Sequence, residues 1–326
     1  MFKDIKQVMK DSVLYGIGNV AVKLVGFILI PLYTDAEYFS TADYGLMGLL
    51  EVTSQILIAV MGLSLYSGLI RWYWDAEYRD KQKTIFFTTL LFTILISLTV
   101  GGLLWLNVDG LSVLLVQQEG YSLGEDLPYV LQLLILTSML GAVVEVPQNL
   151  LRLQSKPIYY STTNIMRLFV TLVLTIYFTI SLHRGIAGVY EAQLVGSVIQ
   201  LLMVLPLIIK NSSFQMDRAC TVQLFLYSYP LVFSAVIGNL LTVFDRYIIN
   251  HFQGLEDVGF YSLGYKVGNT LKVFVVTSVQ LALTPLLMKK MNDPDNKRFY
   301  SKVLTYFSFG LMFCALGLNL FSREGI

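Results

Sequence analysis

Five basic side chains sit where long apolar runs should carry none: Lys23, Arg167, Arg246, Lys266 and Lys272. Three acids share that setting, Glu51, Glu145 and Asp245. An ionisable group at mid-membrane depth costs about 2.5–3.5 kcal/mol on insertion scales, so each is a functional candidate by default. Most of them extend a polar helical stripe. Ser12, Tyr15, Asn19 and Lys23 recur at three or four residues, and Glu51 is followed by Gln55. Ser138, Gly141, Glu145, Asn149 and Arg152 share one face, with Pro147 expected to kink that helix. Tyr160, Asn164, Arg167, Thr171 and Thr175 form another, as do Asn239, Thr242 and Arg246, then Tyr265, Asn269 and Lys272. A polar face escapes lipid only by facing other helices or a water-filled cavity. One reading is structural: Lys23 with Glu51 and Glu145 with Arg167 tie helices together. The surplus of base over acid favours a second. Positive charge in a low-dielectric cavity attracts an anion, and phosphate or pyrophosphate suits Arg and Lys well.

The elements that must position these groups are membrane spans. The 326-residue chain is 55% hydrophobic and 14% charged, against roughly 25% charge in soluble domains. Its mean hydropathy is +0.64. Nine runs are long enough to cross a bilayer as helices, near 12–32, 46–70, 84–106, 128–150, 158–182, 186–209, 222–248, 259–287 and 299–321. They are too long and too apolar for barrel strands. The expected fold is therefore all-α and polytopic. Net charge +1 argues against a nucleic-acid surface. Cys220, expected in a loop, and Cys314, inside a span, lack ligand spacing, so neither a metal nor a disulfide is expected. No Gly-rich phosphate loop follows a strand, and no cofactor is expected. His183 and His251 lie far apart in sequence and make a weak catalytic pair.

Basic residues alternate between loops. Sixteen Lys and Arg fall at the N-terminus and in every second loop, whereas the intervening loops carry Asp35, Glu37, Asp43, Asp109, Glu119, Glu125, Asp126, Glu256 and Asp257. By the positive-inside rule the N-terminus is cytoplasmic. Lys3, Lys6 and Lys10 precede an uncleaved first span, and residues 1–11 form a basic segment on the inner leaflet. Trp72, Tyr73 and Trp74 beside Arg71 read as an interfacial belt. A repeat is also visible. Pro31-Leu32-Tyr33 stands 12 residues before Asp43, with Gly45 two beyond; Asp245-Arg246-Tyr247 stands 12 before Asp257, with Gly259 two beyond. A helix, a short acidic loop and a Gly-led helix thus recur at an offset of 214, the mark of a duplicated half. The expected division is a six-helix lobe at 12–209, a cytoplasmic linker at 210–221 and a three-helix partial lobe at 222–326. The chain then reads as C-terminally truncated.

Several of these stretches resemble a known family. LYGIGNVAVKLVGFILIPLYT followed by Ala42-Asp43-Tyr44-Gly45 looks like the start of bacterial polysaccharide transporters of the MOP (MATE-like) flippase superfamily. So does Gly62-Leu63-Ser64 running to Arg71-Trp72-Tyr73. Asp245-Arg246-Tyr247, Gly254-Leu255 and Val258-Gly259-Phe260-Tyr261-Ser262 resemble the first two helices of the second lobe. The resemblance covers nearly the whole chain; its motifs are specific for the superfamily and weak for substrate.

The resemblance implies a two-lobe helical transporter around a cavity open alternately to either side, in the bacterial inner membrane. It implies flipping of undecaprenyl-diphosphate-linked oligosaccharides for O-antigen, capsule or exopolysaccharide assembly, with polysaccharide polymerase and glycosyltransferases as partners besides membrane lipids. Basic cavity residues would bind the pyrophosphate, which makes Asn19, Lys23, Arg246, Lys266 and Lys272, with Arg167, the anion-binding candidates. Glu51 and Glu145 are candidates for coupling to H+ or Na+ or for counter-charge. Two alternatives stand beside a flippase. An ion-coupled multidrug antiporter of the same superfamily would have a narrower, acid-dominated cavity. A membrane-embedded polysaccharide polymerase or acyltransferase would carry His, Arg or Asp clustered in a large outer loop, and the longest, near 107–127, has four acids without His or Arg. No enzymatic activity is expected.

Overall fold

The computed structural model describes residues 28–115, 126–213, 215, 217–271 and 296–321. Asn19, Lys23, Lys272, most of the first predicted span and the end of the eighth lie outside them. Regular structure among the described residues is helical throughout. A single turn, α1 (Ile30–Tyr33), leads to α2 (Thr41–Gly62) and α3 (Leu65–Trp72). A 3₁₀ turn at Ala76–Lys81 opens α4 (Gln82–Leu106), followed by α5 (Val108–Leu115) and α6 (Leu127–Leu153). Then come α7 (Pro157–Ile176), closed by a π turn at Tyr177–Ser181, α8 (Gly185–Asn211), α9 (Arg218–Phe252), α10 (Leu255–Leu271) and α11 (Asn296–Phe321). Seven helical stretches among the described residues are long and apolar enough to cross a membrane.

Local sequence explains the boundaries. Ser40 and Asp43 form a reciprocal cap on α2: the Asp43 N–H donates to Ser40 Oγ at 3.1 Å, and the Ser40 N–H to Asp43 Oδ2 at 2.8 Å. The acid of that loop is thus a helix-starting residue. Prolines occupy the first turns of α6 and α7, where no helical N–H bond is lost. Pro147, expected to kink its span, lies inside an unbroken 27-residue α6. The interval 46–70, expected as one span, is two helices. Leu63 and Ser64 both adopt left-handed backbone, φ 43° and 49°, and part α2 from α3. The expected loop 107–127 contains α5. Cys220 lies in the first turn of α9, buried against Leu69, Ile85 and Leu224 rather than in a loop.

Two apolar clusters fill the bundle at opposite ends. At the acidic end, Leu46, Leu49 and Leu50 of α2 pack with Val130 and Leu134 of α6, Val189 and Tyr190 of α8, and Leu255 and Val258 of α10. At the basic end, Leu69 of α3, Phe86 of α4, Leu150 of α6, Tyr160 of α7, Leu207 of α8 and Leu224 of α9 meet. The close packing of α2 and α10 depends on glycine. A β-carbon on Gly45 would fall 1.9 Å from the Leu255 carbonyl oxygen, and one on Gly259 would fall 2.3 Å from that of Thr41. Small residues permit this approach of backbones where lipid offers no hydrophobic drive between helices. Helix α9, 35 residues long, packs along α2, α3, α4 and α10.

Candidate functional site

Asp245, Arg246 and Tyr247 occupy the acidic-end portion of α9. The Arg246 side chain is buried, 7% exposed. Its guanidinium lies 4.8 Å from the centroid of the Tyr265 ring on α10, and its Nε–H has no acceptor among the described residues. Asp245 makes no ion pair with it among the described residues. One Asp245 oxygen accepts the Arg246 backbone N–H at 2.9 Å, and the other accepts the Tyr261 hydroxyl. Tyr247 turns to α2, where its hydroxyl meets Thr53 Oγ1 at 2.8 Å. A guanidinium on an aromatic face keeps its edge donors for a planar oxyanion. Burial makes leaving such a donor unused costly.

Lys266 reaches the opposite way, into the first half of the chain. Its ammonium lies 5.6 Å from the Tyr33 ring and 5.4 Å from the Tyr44 ring. These two rings are themselves 6.3 Å apart, and Phe39 packs edge-on to Tyr33 at 5.6 Å. Arg246 and Lys266 are thereby carried by adjacent helices, both held by tyrosine faces beside the α2–α10 contact.

Arg167 is not part of that arrangement. Its Nη1 donates to Gln200 Oε1 of α8 at 3.2 Å, and Gln200 Nε2 donates to Asn164 Oδ1 at 3.0 Å. Gln148 of α6 joins through Asn164, whose Nδ2 donates to Gln148 Oε1 at 3.5 Å, and itself donates to Thr163 Oγ1 at 2.8 Å. The pairing of Glu145 with Arg167 is absent, because Arg167 faces α8 while Glu145 faces the end of α2. The stripe on α6 forms a seam with α2: Ser138 Oγ meets Ser54 Oγ at 2.9 Å, Gly141 sits under Ile58, and Glu145 Oε2 lies 3.8 Å from where a β-carbon on Gly62 would be. Glu51 is exposed on α2. Of the sequence candidates, then, Arg246 and Lys266 lie on adjacent helices against different tyrosines, and Arg167 and Glu145 occupy separate polar seams.

Sequence reasoning missed the tyrosine faces. Tyr33, Tyr44 and Tyr265 act on partners in other helices, so spacing within one helix, which placed Tyr265 only in a polar stripe, does not show what their rings face. Gln148 and Gln200 were visible as polar residues in apolar runs, and that signal could have found the network. A separate cleft of about 220 Å³ opens at the basic end among Tyr73, Gln82, Lys83, Phe86, Leu150, Gln154 and Asn211. Gln154 bridges it, donating to Tyr73 OH at 3.1 Å and to Asn211 Oδ1 at 2.9 Å. Among the described residues no three His, Cys, Asp or Glu side chains gather as metal ligands.

The fold matches solved transporters. A MATE multidrug transporter, DinF-BH, superposes with a TM-score of 0.73 at 15% identity, over 97% of this chain and 75% of that one. The inward-facing conformation of a multidrug resistance MATE family transporter of the MOP superfamily gives 0.69 at 13% identity, over 96% and 71%. A MOP superfamily transporter from Pyrococcus furiosus gives 0.66 at 14% identity, over 95% and 71%. In sequence, an uncharacterized membrane protein of Haemophilus influenzae is 20% identical over 298 residues, spanning 89% of this chain and 67% of that protein. The model of the polysaccharide biosynthesis protein family matches residues 8–291. The chain is a multi-pass helical membrane protein of the polysaccharide biosynthesis protein family, with the fold of MOP-superfamily transporters.

Proposed function

We propose that this protein moves lipid-linked oligosaccharides, carried on undecaprenyl diphosphate, across the bacterial cytoplasmic membrane by alternating access. The observation that carries the reading is Arg246, buried on the face of Tyr265 with an Nε–H that has no acceptor and a guanidinium that has no ion-paired carboxylate among the described residues. A buried cation left open in this way suits the pyrophosphate of a lipid carrier. Lys266 on the adjacent helix, and Asn19, Lys23 and Lys272 outside the described residues, complete the proposed anion-binding set. Arg167 serves in that set only if its bond to Gln200 is exchanged during transport. Residues 12–209 and 222–326 form the two moving lobes, joined by 210–221. The basic end, with Arg71, Lys81, Lys83, Arg152 and Lys156, faces the cytoplasm, as the distribution of positive charge supports.

The test uses a bacterial strain lacking its polysaccharide flippase, complemented with the full-length gene. Surface polysaccharide is measured for wild type, Arg246→Ala, Lys266→Ala and Lys272→Ala at equal membrane levels. Restoration by wild type with loss in the three variants is the expected result. Restoration by all four would keep a flippase and remove this site. Failure of wild type in a strain with a matched glycan would favour a drug antiporter or a membrane-embedded enzyme.

A further inference from the structure

The cleft at the basic end is built from the ends of four helices. Tyr73 follows α3, Gln82 and Lys83 open α4, Gln154 follows α6, and Asn211 closes α8. Phe86 and Leu150, both fully buried, give it an apolar lining. Its volume of about 220 Å³ falls short of the roughly 300–1,000 Å³ of sites for drug-sized molecules, so it fits a compact group. Three of the four helix ends are C-terminal, where free carbonyls would favour a cation. Here they are taken up. The Tyr73 carbonyl accepts from Gln82 Nε2 at 2.7 Å, that of Leu150 from the Gln154 N–H at 2.9 Å, and that of Leu207 from Asn211 Nδ2 at 2.8 Å.

The lining side chains then offer donors. Gln154 uses both amide hydrogens, on Tyr73 and Asn211, so the Tyr73 hydroxyl is an acceptor there and keeps its own hydrogen, which no described residue accepts. Lys83 makes no ion pair with a described residue. Lys156 donates to Gln154 Oε1 at 2.6 Å and adds a second positive charge beside the cleft. Among the described residues no carboxylate lines it, and Asp217 of the linker is paired with Lys81. An ammonium and a hydroxyl without an acid between them suit an oxyanion. Apolar surface flanks them. Trp74, edge-on to Tyr73 at 5.1 Å, is 67% exposed, and Ile209, two residues before Asn211, is 62% exposed. A basic pocket between helix ends at an aromatic belt is where a lipid headgroup is recognised.

We propose that this cleft is a phosphate site, and that the phosphate belongs to the headgroup of an anionic phospholipid, with Lys83 as its counter-charge and the Tyr73 hydroxyl as its donor. A free phosphate ion offers the same oxygens but leaves the exposed Trp74 and Ile209 without acyl chains to meet. The site lies apart from Arg246 and Lys266, and it stands whether or not the protein carries oligosaccharides. Its occupant would tie the ends of α3, α4, α6 and α8 together where the inter-lobe linker starts. Thr84 Oγ1 of α4 already meets Ser213 Oγ of that linker at 3.2 Å.

The experiment titrates the purified full-length protein with a water-soluble short-chain phosphatidylglycerol, the matching phosphatidylcholine or inorganic phosphate. Bound molecules are read by native mass spectrometry and stability by the unfolding temperature. Wild type is expected to take up one phosphatidylglycerol saturably and to gain stability, with no gain from phosphatidylcholine. Lys83→Gln should need roughly tenfold more phosphatidylglycerol for half-saturation. Tyr73→Phe, which keeps the ring and loses the donor, should need several-fold more. Lys297→Gln, which removes equal charge from an exposed position on α11, should match wild type. If inorganic phosphate gives the gain and phosphatidylglycerol does not, with the same dependence on Lys83 and Tyr73, the cleft holds free phosphate and the lipid assignment is overturned. A gain from both, with that dependence, supports the phosphate as the group recognised. An equal gain from phosphatidylcholine, or equal weakening by Lys297→Gln, would show that the cleft does not select an anion, and the site is wrong. Wild-type behaviour of either cleft variant, or no response of wild type to any of the three ligands, also overturns it. Lys83 is exposed, so its replacement leaves the core intact, and Tyr73→Phe reports on the cleft independently.

Discussion

Gly45 and Gly259 stand 214 residues apart in sequence and press against each other's helix. A side chain on Gly45 would strike the carbonyl of Leu255, and one on Gly259 would strike the carbonyl of Thr41, its counterpart at the same offset. Gly48 likewise sits under its own counterpart, Ser262. The two contacts exchange under the 214-residue shift, which is how a two-fold axis between repeats is expected to look. Reciprocal contacts at the α2–α10 interface are what the duplication inferred from spacing predicts.

Substitution on that axis should be costly and equal in its effect. Gly45→Ala and Gly259→Ala each place a β-carbon onto backbone, which cannot rotate away, and overpacking of this kind costs about 1–3 kcal/mol. Both should lower the unfolding temperature to a similar extent. Gly102→Ala, where a β-carbon meets open space, should not. Differential scanning fluorimetry of the three variants checks this.

Tyr265 should matter through its ring and not its hydroxyl. Tyr265→Phe keeps the face under Arg246 and should preserve polysaccharide export. Tyr265→Leu removes a cation–π contact of about 1 kcal/mol, the ring being partly exposed, and should reduce it. Arg246→Lys retains charge but loses the flat stack and the fork of donors, so it should fail as well. Export assays at matched expression separate these outcomes.

How much was legible follows from what each signal depends on. The spans at 84–106, 128–150 and 186–209 lie within a few residues of α4, α6 and α8, because length and apolarity decide them. The polar faces of α6 and α7 were also legible from spacing. What they face was not, since Ser54 meeting Ser138, or Arg167 meeting Gln200, is set by packing between helices. The break at Leu63–Ser64 escaped because neither residue is a helix breaker; tertiary surroundings hold them left-handed. The tyrosines under Lys266 escaped for a related reason, as Tyr33 and Tyr44 reach it from another half of the chain.

Arg167 should respond to loss of its acceptor. Gln200→Leu leaves the guanidinium without that bond, at a cost of about 1–3 kcal/mol for an unsatisfied buried group. The double variant Arg167→Leu with Gln200→Leu should be milder than Gln200→Leu alone. Unfolding curves for the singles and the double test the coupling.

Gly196 provides an independent measure of how tightly α7 and α8 pack. A β-carbon there would lie 2.2 Å from Thr171 Oγ1 and 3.1 Å from the Arg167 carbonyl oxygen. Gly196→Ala should destabilise. Thr171→Ala in the same chain should recover part of the loss, since Thr171 Oγ1 has no partner to lose. Incomplete recovery is expected, because the carbonyl stays in place.

Helix α9 spans 35 residues, about 52 Å at 1.5 Å per residue, against a hydrocarbon core about 30 Å thick. A rod that overshoots the bilayer must lean or protrude. Next to its basic end, Asp217 is joined to Lys81, and from that end Gln223 accepts from Tyr78; toward the other, Asn250 donates to the Leu115 carbonyl at 2.9 Å. With both ends moored and Pro230 removing a hydrogen bond between them, the rod is weakest against bending near Pro230. Any bend of the rod there would tilt the arm that carries Arg246 against the arm that carries Gln223.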